Sequence, residues 1–263
     1  MCGIAGYSLG TGSRLDRTLV AQALLAGIAE RGADAAGYAY RAGDSVTVRK
    51  QRTGASALID SIALDDSVGE VLVHVRDFTK GHPTILANNH PIRHGRVVGI
   101  HNGIIANDDE VLARHGIARQ EPEMTVDSEA IFALVDAYGT SPETLGELVG
   151  SMASAWLDER ERGVLHLARG IGRPLWIGRG RHEVLFASTR AALEVAENAL
   201  RTTFLKSQVD EGRLLRLVDG SIAEERRWSP DTSFREEGSL PAVRAPHESR
   251  SCLELLSTLV APA

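Results

Sequence analysis

Short apolar runs of strand length crowd the first hundred residues and return between residues 152 and 218, with three helical segments grouped between the two sets. That order constrains the fold more than any other feature, because it sorts into stacked layers of sheet and helix rather than a repeating βα alternation. The first run, residues 2–9, is apolar and punctuated by Gly3 and Gly6, which suits a short buried strand. Asp16 is placed to cap a helix reaching about Glu30, with Leu24 and Ile28 one turn apart and Leu25 beside them. The segment Arg31-Gly-Ala-Asp-Ala-Ala-Gly37 breaks that helix, and residues 38–41 and 45–50 read as a strand pair turning through Ala42, Gly43 and Asp44. A short helix is expected near 56–64, then a strand at 71–76, a loop from 77 to 94 rich in His, Asn and Pro, and a strand at 97–101 that ends at Asn102-Gly103. Helices are predicted at 108–115, 128–138 and 142–149. Strands follow at 152–157, 164–168, 175–178, 184–187 and 214–218, with a helix near 190–199.

Composition narrows the function classes. The 263 residues are 43% hydrophobic and 24% charged, values of an ordinary globular chain able to bury a core. Acidic residues outnumber Lys and Arg by 35 to 29, which argues against a general nucleic-acid binder, since phosphate affinity comes from excess cationic charge. No apolar run is long enough to cross a bilayer, and the amino terminus lacks a basic stretch followed by an apolar one, so a cytoplasmic protein is expected. Two cysteines, Cys2 and Cys252, make no disulfide framework. Beyond Trp228 the composition shifts: Pro230, Pro241 and Pro246 sit among Ser, Glu and Arg, as in a linker, and residues 252–260 have the pattern of a short amphipathic helix packed on the body or on a partner.

Cys2 is the residue with the most chemical meaning. Removal of Met1 would place a thiol and a free α-amine on one residue, with ordinary pKa values of about 8.5 and about 7.7–8.0, so the amine can take the thiol's proton without a histidine partner. Position alone favours reading Cys2 as a small apolar residue of a strand, since any chain can carry a cysteine there by chance. The surroundings change this. Cys2-Gly-Ile-Ala-Gly6, Arg31-Gly-x-Asp-x-x-Gly37, His74-Val-Arg76, Asn88-Asn-His-Pro91, His101-Asn-Gly103 and Asp127-Ser-Glu129 occur in that order. Together they resemble the class II glutamine amidotransferase family, the amino-terminal-nucleophile glutaminase domains found in glucosamine-6-phosphate synthase and amidophosphoribosyltransferase. The likeness spans residues 2–228, leaving 229–263 as a Pro-containing linker and short C-terminal helix.

The resemblance implies an α+β fold, the four-layer αββα sandwich of the N-terminal nucleophile hydrolases. It implies Cys2 as the nucleophile toward the carboxamide of L-glutamine, and Asn102 and Gly103 as the oxyanion hole through a side-chain amide and a backbone N–H. An Asn-Gly pair alone is an ordinary hairpin turn, but Ile104 and Ile105 continue the apolar run and a helical segment follows. Arg76 matches the arginine that takes the substrate α-carboxylate, a task suited to its planar fork. Asp127 matches the acid that holds the α-ammonium and is also placed to cap the helix predicted at Ser128. Arg31 and Gly32 would shape the pocket around the terminal amine, Gly32 also being placed to end a helix. Thr79 and His90 complete the expected substrate-pocket residues. Five of the nine histidines lie between His74 and His101, but their spacings match no zinc pattern and no cysteine is near. His74, His90 and His101 belong to the family motifs, and neither a metal nor a cofactor is expected.

Two departures stand out. Where the family's synthases carry Trp-Ala-Thr-His-Gly, this chain has Asp77-Phe-Thr-Lys-Gly81, and the stretch from Gly81 to Pro91 is one residue longer. Only 35 residues follow Trp228, too few for an acceptor domain, so ammonia is expected to be released or passed to a separate synthase. Two other readings stand beside this one: a γ-glutamyl amide hydrolase acting on a larger conjugate, and a non-catalytic regulator that kept the fold.

Overall fold

The computed structural model describes residues 2–235, 241 and 243–260, so Met1, the carboxyl-terminal residues 261–263 and residues 236–240 and 242 of the expected linker lie outside the described residues. Two antiparallel sheets face each other. The seven-stranded sheet has the order β11-β9-β10-β1-β4-β2-β3. Its strands are β1 Gly3–Leu9, β2 Ala35–Ala42, β3 Ser45–Gln51, β4 Glu70–Arg76, β9 Trp176–Arg179, β10 Glu183–Ala187 and β11 Leu205–Gln208. The six-stranded sheet has the order β13-β12-β8-β7-β6-β5. It comprises β5 Ile92–His94, β6 Val97–Ile105, β7 Gly150–Asp158, β8 Val164–Arg169, β12 Arg213–Val218 and β13 Ser221–Arg227.

Helices cover the outer faces. Helices α1 (Arg17–Ile28) and α5 (Arg190–Leu200) pack on the seven-stranded sheet, whose outward Tyr7, Val71, Val73 and Val75 share a core with Leu24 and Leu25, and α6 (Pro246–Val260) lies against α1 and the 3-10 turns at 29–31 and 55–57. Helix α3 (Glu129–Tyr138), flanked by α2 (Asp108–Arg114) and α4 (Pro142–Gly146), covers the other sheet, its Ile131, Phe132 and Val135 sharing a core with Trp156 of β7. Between the sheets lies a third apolar layer that includes Ile4, Leu72, Val98, Ile100, Ala153 and Phe186. The result is the four-layer αββα sandwich. Among the described residues no helix is long and apolar enough to cross a membrane.

Several local expectations need correction. Asp16 does cap α1, accepting from Leu19 N, but residues 55–57 and 59–61 form two single 3-10 turns rather than a helix. β6 does not end at His101. It runs on through Asn102 and Gly103 to Ile105, paired residue by residue with β7. β11 and β13 are strands that the sequence reading left out; each lies at a sheet edge, and β13 alternates little and carries Glu224, Glu225, Arg226 and Arg227. The C-terminal helix begins at Pro246, six residues before the expected Cys252, with proline in the first turn where its missing N–H costs nothing. It lies on the body, with Cys252 and Leu256 buried in the α1 core.

Three buried histidines sit close together near the end of β4. His74 Nε2 donates across the gap to His101 O at 3.2 Å, tying one sheet to the other. His101 Nε2 donates to Ser151 O at 3.3 Å and its Nδ1 lies 2.9 Å from Ser128 Oγ, which fits a neutral ring. His90 stacks on His74 with ring centroids 4.2 Å apart. Burial pushes His74 and His101 down to about 3 and His90 well below the ordinary histidine range.

Two outcomes follow from this packing. The Cβ that Gly99 lacks would fall within the Phe132 ring, so Gly99→Ala is expected to cost about 1–3 kcal/mol, read as a lower urea midpoint. The buried rings bind protons only when the chain unfolds, so their contribution is complete above pH 6.5 and is lost as pH falls toward 3. The unfolding free energy from urea titrations should be lower at pH 5.5 than at pH 7.5 by about 1 kcal/mol or more per histidine, read as a lower midpoint. Equal midpoints would show that the rings are not held neutral.

Candidate active site

Alternation along three strands delivers polar side chains to one end of the layer between the sheets. On β4, Leu72, His74 and Arg76 point inward while Val71, Val73 and Val75 point to the helices. On β1, Ile4 points inward, and Cys2, two residues earlier, follows the same direction. The register Gly3↔Val75 sets Cys2 beside Arg76. On β6, Val98 and Ile100 point inward, and Asn102 continues that row.

Cys2 is half-buried and held from both sides. Arg31 Nε donates to Cys2 O at 2.9 Å, and Cys2 Sγ lies 3.6 Å from Asp77 O as donor. Burial pushes the thiol above its ordinary pKa. Gly32 does not end α1 in a left-handed turn; its φ is −178°, which any residue can adopt. It is required for space instead, because a Cβ there would strike Arg76 O and Asp77 N.

The Arg76 guanidinium is buried, and the chain that follows it folds back onto both of its terminal nitrogens. Nη1 donates to Asn89 Oδ1 at 2.5 Å, while Nη2 donates to Lys80 O at 2.8 Å and also to Gly81 O. The loop from Asp77 to Gly81 is therefore folded back onto the arginine. Lys80, in the place of the family's histidine, ties that loop to the start of α2: Nζ lies 2.7 Å from both Asp108 oxygens and 3.0 Å from Asp109 Oδ2. Arg119 joins Asp108, Asp109 and Glu129 from the far side. Phe78 N donates to Asp34 Oδ2 at 2.9 Å.

Asn102 is wholly buried, and neither its amide nitrogen nor its amide oxygen finds a partner among the described residues. Gly103 has φ 150°, and a Cβ would collide with Ser151 O, so only glycine fits. Asp127 does not cap α3, whose N-cap residue is Ser128. Its carboxylate instead accepts from Ile105 N at 2.7 Å, three residues beyond Asn102 on β6. Burial raises it to about 6.

The structure thus brings Cys2, Arg31, Gly32 and Arg76 together at the end of one sheet and sets Asn102, Gly103 and Asp127 along the facing strand. Thr79 is exposed on the loop, and His90 is a packing partner of His74. Sequence reasoning gave no role to Asn89, which holds Arg76, nor to the Lys80–Asp108 pair. The signals were present in the Asn88-Asn-His-Pro91 block and in the acidic run Asp108-Asp-Glu110.

Comparison with known proteins identifies the family. Residues 82–195 match the family described as "Glutamine amidotransferase domain". Glutamine–fructose-6-phosphate aminotransferase of Caulobacter vibrioides is 33% identical over 203 residues, 73% of this chain and 32% of that protein. The same enzyme of Geobacillus kaustophilus is 27% identical over 92% of this chain and 42% of its own length. The chain thus spans about a third of the length of the curated relatives it matches. Among solved structures, the fold is similar to glutamine phosphoribosylpyrophosphate amidotransferase from B. subtilis, with TM-score 0.67, 22% identity, and coverage of 88% of this chain and 50% of that one. It is also similar to a glutamine aminotransferase class-II domain protein from Silicibacter pomeroyi, with TM-score 0.55, 18% identity, and coverage of 87% and 100%. With the motif order, the sandwich and these relatives in agreement, the chain belongs to the class II glutamine amidotransferase family.

Proposed function

We propose that residues 2–228 form a glutaminase that hydrolyses L-glutamine to glutamate and ammonia through a γ-glutamyl thioester on Cys2, the ammonia passing to a separate synthase. Burial raises the Cys2 thiol, so little thiolate forms unaided and a base is needed within reach. The α-amine freed by removal of Met1 supplies it. The amine takes the thiol proton, and sulfur attacks the side-chain carboxamide carbon of glutamine. The oxygen becomes an oxyanion received by the Asn102 amide and the Gly103 N–H. As the C–N bond breaks, the α-ammonium returns its proton to nitrogen, which leaves as ammonia. Water, deprotonated by the same amine, opens the thioester to glutamate and restores the thiol.

Arg76 receives the α-carboxylate by exchanging the carbonyls of Lys80 and Gly81 for it, and Asp127 receives the α-ammonium. Arg31 and Gly32 fix the Cys2 backbone, and Thr79 rides on the loop that covers the substrate. The observation that carries the reading is Asn102. An unpaired buried amide costs about 1–3 kcal/mol, and a chain retains that cost where a rigid donor meets developing charge.

Ammonia release from L-glutamine is the direct test. Cys2→Ala is expected to abolish it, and Asn102→Ala to lower kcat by about 10²–10³-fold. Turnover that survives either change removes the assignment, and a strong preference for γ-glutamyl conjugates over glutamine overturns the substrate. The Asp127 carboxylate must be ionised to hold an ammonium, and it protonates at about 6, so KM for glutamine should climb as pH falls through 6. Circular dichroism at each pH separates this rise from acid unfolding.

A further inference from the structure

The C-terminal segment reaches the nucleophile's two supports. Arg244 N and Ala245 N both donate to Glu30 O at 2.8 Å. Glu30 immediately precedes Arg31, which holds the Cys2 carbonyl. The Arg244 side chain turns the other way, its Nε 3.2 Å from Asp77 Oδ2, and Asp77 O is the acceptor for Cys2 Sγ. The same two stretches are already stitched together by Asp34 N donating to Arg76 O at 3.0 Å and Phe78 N to Asp34 Oδ2 at 2.9 Å. Behind Arg244 the chain is anchored. Glu248 accepts from Ser56 N at 2.9 Å and from Ser56 Oγ at 3.1 Å, and Cys252 and Leu256 are buried against α1.

We propose that Arg244 is a positioning residue for the glutaminase site, a clip that holds the Asp77–Gly81 loop folded on Arg76 and over Cys2. The proposal rests on the glutaminase reading above and extends it to a residue outside the family motifs. In this pairing the Asp77 carboxylate is what the tail grips. The clip joins two loops that both touch Cys2, so its loosening is felt at the thiol although Arg244 itself touches neither Cys2 nor the proposed substrate contacts.

The pair is partly exposed, with side chains 39% and 18% accessible, so its effect is modest and measurable. In the full chain, Arg244→Glu sets like charges together. Amide hydrogen exchange across residues 77–81 and iodoacetamide alkylation of Cys2, followed by peptide mass spectrometry, should each rise about two- to fivefold. KM for glutamine should fall by a similar factor, because Arg76 then gives up the Lys80 and Gly81 carbonyls more readily, while kcat changes less than twofold, and Arg244→Lys should restore most of each. Exchange and alkylation unchanged in Arg244→Glu would overturn the clip. Neither readout needs turnover, so a chain that hydrolyses no glutamine would count against the glutaminase reading while these two measurements still decide the clip.

Discussion

The pairing of β1 with β4 is the contact on which the site depends. The register Gly3↔Val75 sends Cys2 and Ile4 into the layer between the sheets, with His74 and Arg76 on the same side. Slippage by one residue would turn the thiol toward α1 and bring Ala5 and Tyr7 inward. The pattern of Val71, Val73 and Val75 against the α1 core holds the register, because each is wholly buried there. Packed sheets stand roughly 10 Å apart, so side chains of ordinary length from the two inner faces can meet. Cys2 and Arg76 lie on one inner face and Asn102 on the other, and the His74–His101 hydrogen bond keeps the two faces in step.

How much of this was readable before the structure depends on the residue. β1, β4 and the body of β6 announce themselves as apolar runs, and the ordered motifs name Cys2, Arg76 and Asn102. Asn102-Gly103 is also a turn signal, and for that reason the reading stopped β6 at His101. Pairing with β7 overrides the local preference and carries the strand to Ile105, which a single sequence cannot reveal. Asp127 looked like a helix cap, yet its carboxylate is claimed by Ile105 N, a partner 22 residues away with no periodic relation to it. The edge strands β11 and β13 escaped because little of their surface is buried and their residues are largely polar. The ionic ties of the loop, Lys80 with Asp108 and Asp77 with Arg244, join residues far apart in sequence and so leave no trace in any window.

Arg76 does two jobs in this arrangement. In the structure it is the post around which the following loop is wound, through the carbonyls of Lys80 and Gly81 and the Asn89 amide. In the proposed reaction it is also the seat of the substrate carboxylate. One guanidinium cannot saturate both sets of acceptors, so substrate entry and loop geometry are linked through its five N–H groups. The neighbouring histidines add no positive charge to this region, since burial keeps their rings neutral, and the cations beside Cys2 are the guanidinium groups of Arg76 and Arg31.

The outermost strand of the smaller sheet has a consequence beyond the site. β13 ends a six-stranded sheet with two acids followed by two bases, Glu224, Glu225, Arg226 and Arg227, and a bulge opposite Arg216 and Leu217 twists its pairing. Such a margin repels the addition of a further chain in register. Polymerisation by edge-to-edge strand addition is thus disfavoured along this border.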